Sequence, residues 1–338
     1  SFVSLVPGET TSCIGCHENR TMAPPKMDVA MVPALKKGPA QLEPLEGVPE
    51  IIDYVRDVQP IWDKNCVKCH NYEKYAGKLS LTGDRSPSFT HSYLNIEWAG
   101  LVSHGAQGAG NKAPYSIGAV ESKLYQTIDK PHHGVGLSET EKKIVWAWIE
   151  SSVGWAGTYG VLGTWNPRVK VPEKVMKERC GDCHKPGELH QRWRTGRNRL
   201  MDRRFNLSHP EKSLALLAPL SKEAGGLGLC QQREAKQFSE EQAGPAKVFT
   251  TKDDPGYQAL LEAIKPGADT ATRLPAYYQD GFKPNRSYID EMQRFGVLPQ
   301  DADPAKIDLH KTDEKYYSIF EDARFEVQQN VKFTEGEK

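Results

Sequence analysis

A surplus of either charge is missing from this chain. Across 338 residues, 44 Lys and Arg offset 44 Asp and Glu, for a formal net charge of zero. Nothing in that balance draws the protein to nucleic acid, and no such partner is expected. Long apolar runs are missing too: no stretch approaches the roughly 20 residues of a membrane-spanning helix, so no membrane span is expected. The glycine-rich stretch 105–118 lacks a lysine followed by Ser or Thr in P-loop order, which excludes a phosphate cradle. Apolar side chains make up only 38%, beside 29 glycines and 23 prolines. That is the composition of a loop-rich chain with a thin core. The length allows two or three domains.

Cysteine is present in a pattern. Six of the seven cysteines fall in three copies of one word: Cys13-Ile14-Gly15-Cys16-His17, Cys66-Val67-Lys68-Cys69-His70 and Cys180-Gly181-Asp182-Cys183-His184. Each is C-x-x-C-H, the attachment sequence of a c-type haem. Two thiols on one turn reach the two vinyl groups of a porphyrin, and the adjacent histidine offers a nitrogen to the iron. Zinc sites use C-x-x-C pairs in twos, and three pairs leave one over. A redox dithiol does not require the histidine that all three copies carry. The expectation is therefore three covalently bound haem c groups. Cys13, Cys16, Cys66, Cys69, Cys180 and Cys183 form the thioethers, with His17, His70 and His184 as proximal iron ligands. Cys230 is left over, as a buried small side chain, a haem ligand or an exposed thiol. Each porphyrin supplies apolar surface that the composition lacks. Haem attachment is completed outside the cytoplasmic membrane, so a leader is expected upstream of Ser1, with the chain a processed form or a fragment. The expected location is periplasmic or extracellular.

The chain reads as four parts. Residues 1–48 are an extended, Pro/Gly-rich segment around the first motif. Residues 49–163 are a cytochrome c-like domain with the second. There Ile51, Ile52, Val55 and Val58 have helical spacing, and Pro60 opens a helix from Ile61 to about Cys69. Leu79 to Asp84 reads as strand and turn. Ser138-Glu139-Thr140-Glu141 is a capping box for a helix from Glu139 to about Val153. Residues 164–300 are the third-haem domain. Pro172 opens the helix that carries its motif, and a capping-box spacing at Ser208 precedes a helix through Leu217. Helices also run from Pro255 to about Ile264 and over 286–295, the latter closed by Gly296. The basic run Arg192, Arg194, Arg197, Arg199, Arg203 and Arg204 is either a solvated face or a set of partners for haem propionates. Residues 301–338 are a charged tail with a short amphipathic helix near 314–325. The fold class expected is mainly α with much irregular structure, with cytochrome c-like haem domains in tandem.

Several stretches resemble the haem-bearing portion of hydrazine synthase alpha subunit-like multihaem cytochromes. Pro7-Gly8-Glu9 through the first motif to Ala23-Pro24-Pro25 is similar to their haem domain. Val58-Gln59-Pro60-Ile61, Leu79 to Asp84 and Leu137-Ser138 to Trp148-Ile149 resemble the next cytochrome domain. Asn206 to Ser213, Ala224-Gly225-Gly226 and Gly281-Phe282-Lys283-Pro284 resemble a third segment of larger relatives. In that family one haem is catalytic, its iron bound by a tyrosine just after the motif while the motif histidine turns to zinc. This chain has Glu18-Asn19-Arg20-Thr21 after His17 instead. Tyr72 and Tyr75 follow His70, but the corresponding haem in the family has two histidine ligands.

Seven histidines remain for the sixth positions. His132 is favoured for the second haem, with His133 as alternate; the pair sits where the resembling domain has its ligand. His209 is favoured for the third, since His190 is close in sequence to His184. His91, His104 and His310 are weaker candidates, for the first haem. Paired histidines transfer electrons with little rearrangement, whereas an open iron allows substrate chemistry. The expected function is an exported triheme cytochrome carrying electrons between redox partner proteins, as single molecules or as a homo-oligomeric haem filament. The alternative is a haem enzyme of nitrogen metabolism like hydrazine synthase alpha.

Overall fold

The computed structural model describes residues 44–104, 113, 115–161, 169–180, 199–229, 249–268 and 281–330. Cys13, Cys16 and His17 lie outside these residues, as do Cys183, His184, His190 and Cys230; of the third motif Cys180 alone is described. Among the described residues the chain is mainly helical with much irregular structure and no strand. Three isolated bridges join Arg85 to Thr90, His132 to Val135 and Leu220 to Phe249.

Asp53 organises the entry to the first core. Its fully buried carboxylate accepts from Val55 N and Arg56 N and from Gly157 N at 3.0 Å. A wide π-helical turn, Tyr54–Val58, follows and runs into α1, Gln59–Asn65. Pro60 sits in the first turn of α1, where a missing N–H costs nothing. Helices α2 (His91–Trp98), α3 (Lys123–Ile128) and α4 (Glu139–Glu150) close around the same core. Its large members are Tyr54, Trp62, Ile96, Trp148 and Ile149. Tyr54 Oη, buried in this core, is paired as burial demands: it accepts from Trp62 Nε1 at 3.0 Å and donates to Ser92 Oγ at 2.9 Å. Helix α4 starts at the expected capping box, Ser138 with Glu141. It stops short of Val153 because Ser152 and Val153 take φ of 72° and 57°, and Trp148 Nε1 then donates to Gly154 O.

The segment from Leu79 to Asp84 is not a strand, because α1 and α2 take the hydrogen bonds a neighbouring strand would offer. Gln59 Nε2 donates to Leu81 O at 3.1 Å and Asn95 Nδ2 to Ser80 O at 2.8 Å. Ser92 N and His91 N donate to Thr82 O and Asp84 O.

A second core gathers Val175, Phe205, Leu207, Leu216, Leu220, Phe249, Tyr257, Leu260 and Ile264. Helix α5, Glu173–Val175, widens into a π-helical turn, Met176–Cys180, and so delivers Cys180. The helix expected after Ser208 is broken at Ser213, into a 3-10 turn Pro210–Lys212 and a short α6, Leu214–Leu217. Ser208 does not cap it; its Oγ accepts from Arg85 N at 2.9 Å. Helix α7, Pro255–Ala268, completes this core and outruns the expected end near Ile264.

A third core joins Val161 to α8 (Arg286–Arg294) and α9 (Leu309–Asn330), through Tyr288, Ile289, Met292, Val297, Leu309 and Tyr316. Asn285 caps α8, and Gly296 at φ 69° ends it. The tail helix is longer than expected, and its first turns are covered by α8 of the same chain. Among the described residues no helix is long and apolar enough to cross a membrane.

Candidate haem site

Helix α1 ends in the second motif. Cys66 N and Val67 N both donate to Trp62 O, at 2.8 and 3.0 Å. The chain then tightens, with Cys69 N and His70 N both reaching Cys66 O, at 3.1 and 3.0 Å. Asn71 fixes this turn: its Nδ2 donates to Val67 O at 2.9 Å and its Oδ1 accepts from Lys74 N at 2.8 Å. Two unbridged thiols and an imidazole thus stand on one turn. Burial, with Glu141 and Cys69 nearby, pushes the Cys66 thiol up to about 11. It therefore stays protonated at neutral pH, the opposite of what a reactive dithiol or a thiolate ligand needs. Among the described residues no group of three or more His, Cys, Asp or Glu could hold a metal ion, so no zinc site of protein ligands is built from them.

Across from this turn stands His132. His132 N donates to Val135 O at 2.8 Å and Val135 N to His132 O at 3.0 Å. The two residues between, His133 and Gly134, have φ of 49° and 79°. This is a two-residue type I′ hairpin turn, with glycine at one of its two left-handed positions. Leu137, buried, and the Ser138 cap anchor the turn to α4. The His132 ring lies 6.3 Å from the His70 ring, centre to centre, with the planes 21° apart. Two metal–imidazole bonds of about 2 Å, plus about 1.1 Å from each nitrogen to its ring centre, require a separation of about 6.2 Å. His133 is carried on the turn's tip and stands edge-on to His132 at 4.4 Å. Although His132 is exposed, slight desolvation and then the neighbouring His133 and His70 hold its pKa below the ordinary histidine value. Cys66, Cys69, His70 and His132 are together the donors a covalent haem would use. Gly77, at φ 61°, runs the following loop past the His70 ring, its missing Cβ 3.9 Å from His70 Cε1.

Glu141 ties the two halves of this site together. It receives Lys64 Nζ at 2.8 Å and Asn65 Nδ2 at 3.1 Å from the end of α1, and Ser138 N at the start of α4. Burial works against its charge, but these hydrogen bonds outweigh it and bring the carboxyl down to about 2.

The other candidate histidines are placed elsewhere. His91 is fully buried, with Nε2 3.0 Å from Phe205 O and its ring edge-on to Tyr72. His104 lies 3.1 Å from Glu97. His209 Nδ1 lies 3.2 Å from Asp84 Oδ1, against the 49–163 part. His310 is on the first turn of α9. None of these four is brought to the Cys66–His70 turn as His132 is. Tyr72 is buried and turned toward His91. The role of Asp84, which also accepts from Asn206 Nδ2 at 2.7 Å, was not legible in the sequence. The adjoining Gly83-Asp84 turn was the one signal there.

No family model matches this chain, and no curated protein or solved structure matches it either.

Proposed function

We propose that this protein is an exported triheme c-type cytochrome that carries electrons between redox partner proteins, with cytochrome c-like haem domains in tandem. The observation that carries the reading is the facing pair His70 and His132, 6.3 Å apart across the turn that bears Cys66 and Cys69. In this reading Cys66 and Cys69 would hold the porphyrin by thioethers, and His70 and His132 would offer imidazole nitrogens to the iron. When bound, haem c supplies a one-electron iron couple whose potential is set by ligands, burial and hydrogen bonds. The chain's own contribution is rigidity. Asn71 holds the His70 turn and the I′ hairpin holds His132, so both imidazoles keep their places whichever charge the iron carries. With both imidazoles offered to it, the iron would keep no open position, which favours transport over the catalytic alternative at this site. The same sequence word at Cys13–His17 and Cys180–His184 extends the proposal to three haem c groups, in a periplasmic or extracellular setting. Intact mass of the denatured protein tests it. The expected value is the polypeptide plus three haems, and haem lost to acid-acetone extraction would overturn covalent attachment.

A further inference from the structure

Arg203 has its cation in an unusual place. It sits on the 3-10 turn Arg199–Arg204, beyond the third motif in sequence, yet it packs on the 49–163 part. Its guanidinium lies over the Trp98 ring at 4.2 Å, at the end of α2. On another side stands Tyr75, within hydrogen-bonding reach, with Tyr72 nearby. Both tyrosines belong to the loop just after His70, the loop whose Gly77 runs against the His70 ring. Arg203 Nε is buried with no hydrogen-bond partner. Among the described residues the charged or titratable groups that face it are Tyr72, Tyr75 and His91; none of these is a carboxylate. Its neighbour Asp202 is engaged by Ser88 Oγ instead. A largely desolvated guanidinium without an anion is costly, and the cation–π contact with Trp98 offsets only part of that cost.

A haem carries two propionate carboxylates, and a guanidinium presents the planar fork that suits a carboxylate. We infer that Arg203 binds a propionate of the haem at the second motif, so that this haem is closed on one side by a residue from beyond the third motif. The inference rests on haem occupying Cys66 and Cys69. It selects one residue of the basic run and assigns it to the second haem rather than the third. Arg203 then has two effects. Its positive charge near the porphyrin favours the reduced iron, and it holds the propionate ionised.

The test uses the full holoprotein in Arg203→Gln, Arg203→Lys and Trp98→Leu forms, with spectroelectrochemical titration of each haem across pH. Arg203→Gln is expected to move one midpoint potential of the three to a more negative value. Its redox-linked protonation should move upward in pH, because the propionate is no longer held ionised. Arg203→Lys should keep most of the wild-type potential, and Trp98→Leu should leave it nearly unchanged. A purely structural Arg203 would erase that ranking, with Trp98→Leu and Arg203→Lys as disruptive as Arg203→Gln. That result, or an unshifted potential in Arg203→Gln at full haem mass, would overturn the inference. Should Arg203→Gln not fold, the wild-type profile decides, since a clamped propionate predicts a potential flat through neutral pH and a slope there contradicts it. A wild-type Cys66–Cys69 peptide without haem mass would overturn the haem reading itself, a distinct failure.

Discussion

At Cys66 the chain arrives on a helix packed among aromatic rings; at Cys180 it arrives on a turn held by an ion pair. The buried neighbours of the first approach are Tyr54, Trp62 and Trp148, with Asp53 spent on backbone N–H groups. The second approach relies on Val175 against α7 and on Arg179, next to Cys180, which pairs with Asp254 and lies over the Phe249 ring at 5.6 Å. Asp254 also accepts from Gly256 N and Tyr257 N at the start of α7. One motif is thus braced by burial, which salt does not screen, and the other partly by charge, which salt does. The first residue of the same five-residue word is delivered by two different devices, a helix end at Cys66 and a turn at Cys180.

The largest break of this contrast is Trp148→Ala. Trp148 is 1% exposed, and truncation should cost about 3–5 kcal/mol in urea unfolding of the 49–161 core. Amide protection in α7 should hardly change. Asp254→Ala is the counterpart. It removes the Arg179 pair and the α7 cap together, and about 1–2 kcal/mol should be lost. That loss should shrink in high salt, while the Trp148→Ala loss should not.

Acid sharpens the comparison within the first region. The Glu141 carboxyl is lowered from the ordinary 4.5 to about 2, so its contribution is fully present above pH 4.5 and is lost as pH falls toward 2. Wild-type stability should drop through that window more steeply than that of Glu141→Ala. Ser138→Ala, which removes the other half of the capping box, should cost about 1 kcal/mol at neutral pH. The smallest effect belongs to His133→Gly. Its φ of 49° is one that glycine adopts freely, so relief of the left-handed backbone should offset the lost side chain to within about 1 kcal/mol.

Local signals in the sequence carried the fold where chain-local chemistry decides it. The Ser138–Glu141 box placed the start of α4, Pro60 the first turn of α1, and Gly296 the end of α8. The misreadings came from distant partners. Leu79–Asp84 looks like a strand, but the Gln59 and Asn95 side chains and the first turn of α2 supply its hydrogen bonds. Ser208 looks like a helix cap, but Arg85, more than a hundred residues earlier, takes its hydroxyl. At the candidate site the motif turn could be read directly from Cys66-Val67-Lys68-Cys69-His70. His132 is favoured over its alternate His133 through the resemblance alone; the hairpin backbone that sets the His132 ring 6.3 Å from the His70 ring could not be read there. The burial of His91, one of three candidates for the first haem, against Phe205 O depends on residues 199–213 folding back onto α2.

The facing pair is tested most directly by low-temperature electron paramagnetic resonance of the oxidised protein, alongside its His132→Ala and His133→Ala forms. Imidazole planes 21° apart predict a rhombic low-spin signal for the haem at the second motif. His132→Ala should lose that signal and gain a high-spin one, and His133→Ala should keep it. A low-spin signal that persists unchanged in His132→Ala would contradict the account.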